Sequence, residues 1–161
     1  MESDSYQFPR SKLKNIDPDD SREPIVLVLC GSFSPVTYLH LRIFEMACDE
    51  INLGSTFVVL GGFFSPVHDE YKKRGLAASN HRLEMCRLAV EDSDWLMIDD
   101  WETRQPNYST TRKVLDHFNQ YLNNGSFDGK RRIRPVLLAG GDLIESFKVP
   151  DLWAPEDVRN L

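Results

Sequence analysis

Several features that would place this chain quickly are missing from it. Its 161 residues hold only three cysteines, an odd number, without the paired spacing of a zinc site. Cys30, Cys48 and Cys86 each stand in apolar surroundings, which fits reduced thiols in an intracellular protein better than a disulfide framework. No apolar run approaches the roughly 20 residues that span a bilayer. The first residues also lack the basic-then-apolar pattern of a secretory leader. Positive charge is in deficit: 19 Lys and Arg against 25 Asp and Glu leave a net charge of −6. That balance argues against a general nucleic-acid binder, but a small anion could still sit in a local positive pocket. Neither common phosphate loop is present, since there is no Gly-x-x-x-x-Gly-Lys-Ser/Thr and no Gly-x-Gly-x-x-Gly behind a strand. Repeats and low-complexity tracts are lacking too. The expectation is a soluble, intracellular protein, cytoplasmic or nuclear, with no membrane or nucleic-acid partner. Whether it forms a homo-oligomer is left open.

What is present is a patterned apolar framework, 41% of the residues, enough for one core. Residues 1–23 are polar and carry Pro9 and Pro18, so they read as a flexible lead-in to a domain over 24–161. Ile25 to Cys30 is continuously apolar, as in a short strand buried on both faces of a parallel sheet. Gly31 follows, where the chain can turn sharply with no side chain between backbone and ligand. Pro35 ends the strand, Thr37 can cap a helix, and His40 falls in that helix's first turn. Unpaired N–H groups and the positive dipole end make a first turn a seat for phosphate, and His40 adds a side-chain donor.

The remaining elements alternate. A helix is expected over Leu39 to Ile51, with Ile43, Ala47 and Ile51 on its inward face. A strand from Thr56 to Leu60 is closed by Gly61-Gly62, and a helix capped by Ser79 runs to Glu91. Trp95 to Ile98 is a third strand. A helix opening after Gln105 and running to Leu122 would place Tyr108 and Thr111 on one face, three residues apart. Asn123 to Arg134 reads as loop, its basic cluster being solvated. Pro135 to Ala139 is a fourth strand followed by glycines and a helix start. Strands linked by helices predict an α/β, Rossmann-like doubly wound parallel sheet that binds ligand at the carboxyl ends of its strands.

The opening corner, Gly31-Ser32-Phe33-Ser34-Pro35 with His40-Leu41-Arg42 and Phe44-Glu45, resembles the signature of the nucleotidyltransferases related to class I aminoacyl-tRNA synthetases. Ser65-Pro66-Val67, Tyr71-Lys72-Lys73, Trp101-Glu102, Gly140-Gly141-Asp142-Leu143 and Val149-Pro150-Asp151-Leu152-Trp153 stand at the spacing of the eukaryotic-type nicotinamide mononucleotide adenylyltransferases. That resemblance implies transfer of an adenylyl group from ATP to nicotinamide or nicotinate mononucleotide, giving NAD or deamido-NAD. It implies Mg2+ carried through the ATP phosphates, with no protein metal ligands. ATP phosphates would meet Gly31, Ser32, Phe33, His40 and Lys73, with His40 as the catalytic donor. The mononucleotide would meet Tyr71, Trp101, Tyr108, Thr111, Gly140, Asp142, Leu152 and Trp153. Read as residues alone, core packing is the commoner fate of aromatics such as Trp101 and Tyr108, and Asp142 could equally well cap its helix.

An Ile-Ser-x-Thr-x-x-Arg motif that holds ATP phosphates in relatives is missing, and the chain stops at Leu161. The expected fold is therefore truncated, lacking the C-terminal third of a full family member. Two alternatives follow: a non-catalytic nucleotide-binding or protein-interaction module of the same fold, and another adenylyl- or cytidylyltransferase. The latter would have no obvious use for the three aromatics Trp101, Tyr108 and Trp153.

Overall fold

The structure is a computed structural model that describes residues 5–54, 56–124, 131–150 and 153–155, without the side chain of Asp142. Four parallel strands form one sheet in the order β3-β2-β1-β4. They are β1 (Glu23–Gly31), β2 (Phe57–Pro66), β3 (Leu96–Ile98) and β4 (Arg134–Leu138). The helices are α1 (Tyr38–Leu53), α2 (Ser79–Ala89), α3 (Thr111–Asn123) and the short α4 (Gly141–Ser146).

The apolar run of β1 is explained by its two covered faces. Ile25, Leu27 and Leu29 pack in a layer with Phe44 of α1 and Cys86 of α2. Val26 and Val28 point the other way, into a layer with Val114, Leu115, Phe118 and Leu122 of α3. Successive strand residues alternate faces, so a central strand must be apolar throughout. Phe44, Phe64 and Phe118 are fully enclosed, and truncating any one to alanine would cost about 3–5 kcal/mol.

From β1 the chain builds outward through β2 and β3, then returns to add β4 on the other side of β1. The order thus reverses between β1 and β4, and ligands of open α/β sheets bind at the carboxyl ends beside such a reversal. The predicted α/β, Rossmann-like parallel sheet is the fold observed.

Three expectations need correction. The second strand does not close at Gly61-Gly62 but runs on to Pro66. These glycines are packing sites rather than a turn. A Cβ on Gly61 would lie 2.9 Å from Leu13 Cδ2, and one on Gly62 would lie 2.6 Å from Leu96 Cδ2 and 2.9 Å from the Phe44 ring. A register shift between Ile25 and Val26 passes over Leu60, and beyond it Cys30 and Gly31 pair with Ser65 and Pro66. The loop after β2 therefore starts beside the corner after β1.

β4 is only half-buried: among the described residues β1 is the one strand it pairs with, at the edge of the sheet.

Residues 1–23 do not behave as a flexible lead-in where they are described. Residues 5–22 form no helix or strand but lie packed along the α3 layer. Phe8 stacks on Tyr121 (5.6 Å, 18°) and meets Phe63 and Phe118 at 5.5 Å. Ile16 joins the core, the Lys14 N–H donates to the Leu60 carbonyl (2.9 Å), and Lys12 Nζ donates to the Val90 carbonyl (2.8 Å). Tyr6, Phe8, Leu13 and Ile16 carry this docking. Their spacing follows neither helical nor strand period, so the polar average hides them.

In the basic cluster after α3, Arg132 and Arg134 are exposed as expected, and the described side chains also bond within the chain. Arg131 donates to the carbonyls of Asp20 and Arg22, Arg132 to Asn119, and Arg134 pairs with Glu23. Among the described residues no helix is long and apolar enough to cross a membrane.

Candidate active site

The corner after β1 is built around Phe33. Its ring is buried and folds back over Gly31, where a Cβ would lie 3.0 Å from it. Phe33 itself holds φ at 43°, a left-handed conformation uncommon for a bulky residue and a mark of local strain at a functional turn. The ring stands edge-on to Phe64 (5.0 Å) and to His40 (5.2 Å). Phe33 therefore acts as the wedge that backs His40, and only its backbone is free to meet a ligand.

Thr37 is the N-cap of α1, as expected. Its backbone N–H donates to His40 Nδ1 (3.0 Å), and its hydroxyl lies 2.8 Å from the same nitrogen. A backbone N–H can only donate, so Nδ1 is an acceptor and the ring proton sits on Nε2. Burial lowers the His40 pKa below its ordinary value, and the nearby Lys73 charge lowers it further. His40 is thus held as a neutral imidazole whose Nε2–H is a fixed hydrogen-bond donor. Lys73 Nζ donates to Ser32 Oγ (2.8 Å), which brings the cation to the same corner.

His81-Arg82 at the start of α2 match the family, but Arg82 has no role assigned from sequence. Its side chain is fully buried at the start of α2. Nε donates to the Ala77 carbonyl (2.7 Å) and Nη1 to that of Ser32 (3.0 Å). Nη2 donates to the Val67 carbonyl and to Asp69 Oδ1, both at 2.8 Å. One guanidinium thus ties the β1 corner, the start of the loop after β2 and the entry to α2. Ser79, read as the cap of α2, instead donates to Asp69 (2.8 Å), and Ala78 is the cap. The available signal was position: Arg82 precedes Leu83 and lies four residues from Cys86 on the inward helix face.

The second half of the site is aromatic. A cavity of about 480 Å³ is lined by Trp101 and Tyr108, with Gln105, Lys113, His117 and Tyr121 among the remaining walls. One face of the Trp101 indole lies on His117 (4.3 Å, 13° between planes). Tyr108 is not on α3, contrary to expectation. Thr110 caps that helix by accepting from the Lys113 N–H (3.4 Å), which leaves residues 106–109 non-helical. Tyr108 swings toward the loop after β2, where its ring stacks on Tyr71 (5.9 Å, 27°) and its N–H donates to Glu70 Oε2 (3.1 Å). Thr111 becomes the first helical residue and does not line the cavity.

Two carboxylic acids lie beneath these walls. Glu102 is buried, and burial pushes its pKa up to about 8 despite hydrogen bonds from the His68 N–H and the Ser65 hydroxyl. Asp99 is fully buried against His117 (3.0 Å). The Cys30 thiol at the end of β1 is pushed up by burial, with the charges of Glu102 and Asp99 adding to it, so it is an inert thiol.

The structure therefore gathers Gly31, Ser32, Phe33, His40 and Lys73 at one corner, and Tyr71, Trp101 and Tyr108 beside it. The loop after β2 bridges the two, with Glu70 and Tyr71 on Tyr108 and Lys73 on Ser32. Gly140 caps α4 just beyond β4, across the strand-order reversal. Trp153 sits against α4, its Nε1–H donating to Ser146 Oγ (3.0 Å) and its ring edge-on to Phe147 (5.1 Å). It is not part of the Trp101 cavity. The Asp142 side chain and Leu152 lie outside the described residues. Among those described, no three His, Cys, Asp or Glu side chains converge as metal ligands.

Comparison with known proteins gives the family. Residues 28–159 match the cytidylyltransferase-like family. Nicotinamide/nicotinic acid mononucleotide adenylyltransferase 2 of Saccharomyces cerevisiae is 50% identical over 165 residues, covering 98% of this chain and 42% of the yeast protein. The corresponding enzyme of Schizosaccharomyces pombe is 49% identical, covering 97% and 44%. That of Arabidopsis thaliana is 42% identical, covering 96% and 64%. The chain thus spans less than half the length of these fungal relatives and less than two thirds of the plant one. The family match runs from the middle of β1 past α4 and takes in both halves of the site, so the chain belongs to the cytidylyltransferase-like family.

Proposed function

We propose that this chain binds ATP and nicotinamide or nicotinate mononucleotide and transfers the adenylyl group between them, releasing pyrophosphate and giving NAD or deamido-NAD. The observation that carries this reading is the loop after β2, which couples a cationic, N–H-rich corner to an aromatic cavity through Lys73–Ser32 on one side and Tyr71–Tyr108 on the other. The names of the yeast, fission-yeast and plant relatives support it.

In this reading a phosphate oxygen of the mononucleotide attacks the α-phosphorus of ATP in line. The new P–O bond forms as the α–β bridge breaks, and pyrophosphate leaves with the electron pair. The acceptor is already an anion, so no protein nucleophile is needed, and catalysis is positioning plus charge neutralisation. His40 Nε2–H and the Lys73 ammonium stabilise charge on the phosphates, while the backbone of Gly31, Ser32 and Phe33 allows close approach. Trp101 and Tyr108 offer flat surfaces for the pyridine, with Tyr71 flanking. Thr111, Gly140, Asp142, Leu152 and Trp153 are proposed as further mononucleotide contacts. A corner of cationic and N–H donors suits phosphate rather than a bare metal. Magnesium would enter on the ATP oxygens, keeping most of its waters. Free cysteines at positions 30, 48 and 86 fit an intracellular, cytoplasmic or nuclear setting.

The test is pyrophosphate release from ATP with each mononucleotide. Release that depends on both substrates is expected. Binding of both without release would overturn the catalytic reading. A second reading, a binding module that takes the mononucleotide without turnover, makes a different prediction. Calorimetry showing mononucleotide binding without ATP binding would select it.

A further inference from the structure

We infer that the N-terminal arm is part of the aromatic subsite, and that Tyr6 is a positioning residue which, through Asp99 and His117, fixes the plane of Trp101. This rests on the proposed role of Trp101 as a stacking surface for the acceptor's ring.

The three polar groups form a closed triangle. The Tyr6 hydroxyl donates to Asp99 Oδ1 (2.7 Å). His117 Nε2 lies 3.0 Å from Asp99 Oδ2 and 2.9 Å from the Tyr6 oxygen. The protons balance: Tyr6 gives its one proton to Asp99, and a single Nε2–H on His117 is shared between the other carboxylate oxygen and the phenol oxygen. Burial pushes the Tyr6 pKa up, and the Asp99 carboxylate adds to it, so Tyr6 remains the donor. No member of the triangle is placed at a reacting atom, and its position explains its use.

His117 is fixed in plane as well as in position. Tyr6, Phe8 and Phe118 meet it edge-on, at 5.4, 5.8 and 5.5 Å, and Tyr121 meets it at a tilt (4.8 Å). Trp101 is the ring that lies parallel to it. Rotating the imidazole would break both Nε2 contacts, so the triangle sets the imidazole plane and the imidazole sets the indole plane. The Trp101 backbone N–H is also directed at Asp99 Oδ1 (3.4 Å), so ring and backbone share one anchor. A phenylalanine at position 6 would fill the same space against His117 and Tyr121. What the hydroxyl adds is control of the ring two contacts away, at the wall of the cavity.

The experiment compares the full chain with Tyr6→Phe by calorimetry with nicotinamide mononucleotide, and separately with ATP. The indole Nε1–H of Trp101 is followed in proton–nitrogen spectra, assigned through Trp101→Phe. Mononucleotide affinity is expected to fall about five- to tenfold, the net worth of one buried hydrogen bond. ATP affinity should be unchanged and the Trp101 resonance should move. A purely structural role would lower the melting temperature and leave both readouts alone, and that result overturns the inference. Equal weakening of both ligands also overturns it. If the unmodified chain binds no mononucleotide, the proposed role of Trp101 falls. The Trp101 resonance then still decides whether Tyr6 governs the indole, and an unmoved resonance would overturn that too.

Discussion

The two halves of the site are built differently. The corner after β1 is local: Gly31, Ser32, Phe33, Thr37 and His40 lie within ten residues, and its key contact, Thr37 to His40, spans three. The aromatic half is assembled from afar, with Tyr71 on Tyr108 and Tyr6 on Asp99 and His117, the latter contacts 93 and 111 residues apart in sequence. A local device can be read from spacing because a cap and a first turn are fixed by short-range geometry. A distal one depends on where strands and loops converge, and no short window contains that.

Four experiments test how far this contrast holds. The largest effect is expected from Arg82, which ties the corner to the loop that bridges the two halves. Arg82→Met takes the donor from three carbonyls and one of two donors from the half-exposed Asp69, and should lower stability by about 3–5 kcal/mol in urea unfolding, because carbonyls left unpaired away from water are costly. A loss under about 1 kcal/mol would mean the loops hold their own shape.

His40→Ala comes next. Pyrophosphate release should fall about 10²–10³-fold, as for loss of one preorganised donor. The melting curve should hardly move, since His40 contacts its own turn and the Phe33 edge. Near-normal turnover would remove His40 from the transition state.

Glu102 gives a pH signature. Its folded pKa of about 8 is raised above the ordinary 4.5, so between those values the folded chain holds a proton that the unfolded chain releases. Stability should therefore fall as pH rises from about 5 to about 8, by at most about 1.4 kcal/mol per unit from this group. Glu102→Gln, a neutral match for the protonated acid, should flatten that slope in urea midpoints. An unchanged slope would place the titration elsewhere.

The smallest effect is expected from Tyr108→Phe. The ring stack on Tyr71 and the backbone bond to Glu70 both survive the loss of the hydroxyl, so mononucleotide affinity should change less than about twofold, against about tenfold for Tyr108→Ala. Comparable losses in both would show that the hydroxyl, and not the ring, makes the contact.

Most of the framework was legible in the sequence. β1 declared itself by six apolar residues, and Thr37 and His40 by their offset from Pro35. The shared-face placement of Tyr108 and Thr111 failed because Ser109 and Thr110 offer a better start for α3 than Gln105 does, and a cap competes locally with helix propagation. The N-terminal arm failed because four apolar anchors among polar residues make no period. Arg82 received no role because its partners, three carbonyls on separate segments, come together only in the fold.

Gly61 and Gly62 carry a practical lesson for reading variants. Neither touches a ligand in any step described above, yet each sits where two layers come within a methyl group of one another. In a survey scored by loss of activity, alanine at Gly62, whose Cβ would press on the Phe44 ring, would register more strongly than alanine at Gly61, where the tips of Leu13 and Met97 can swing aside. Intolerance to substitution at Gly62 would therefore mark closeness of approach and not chemistry.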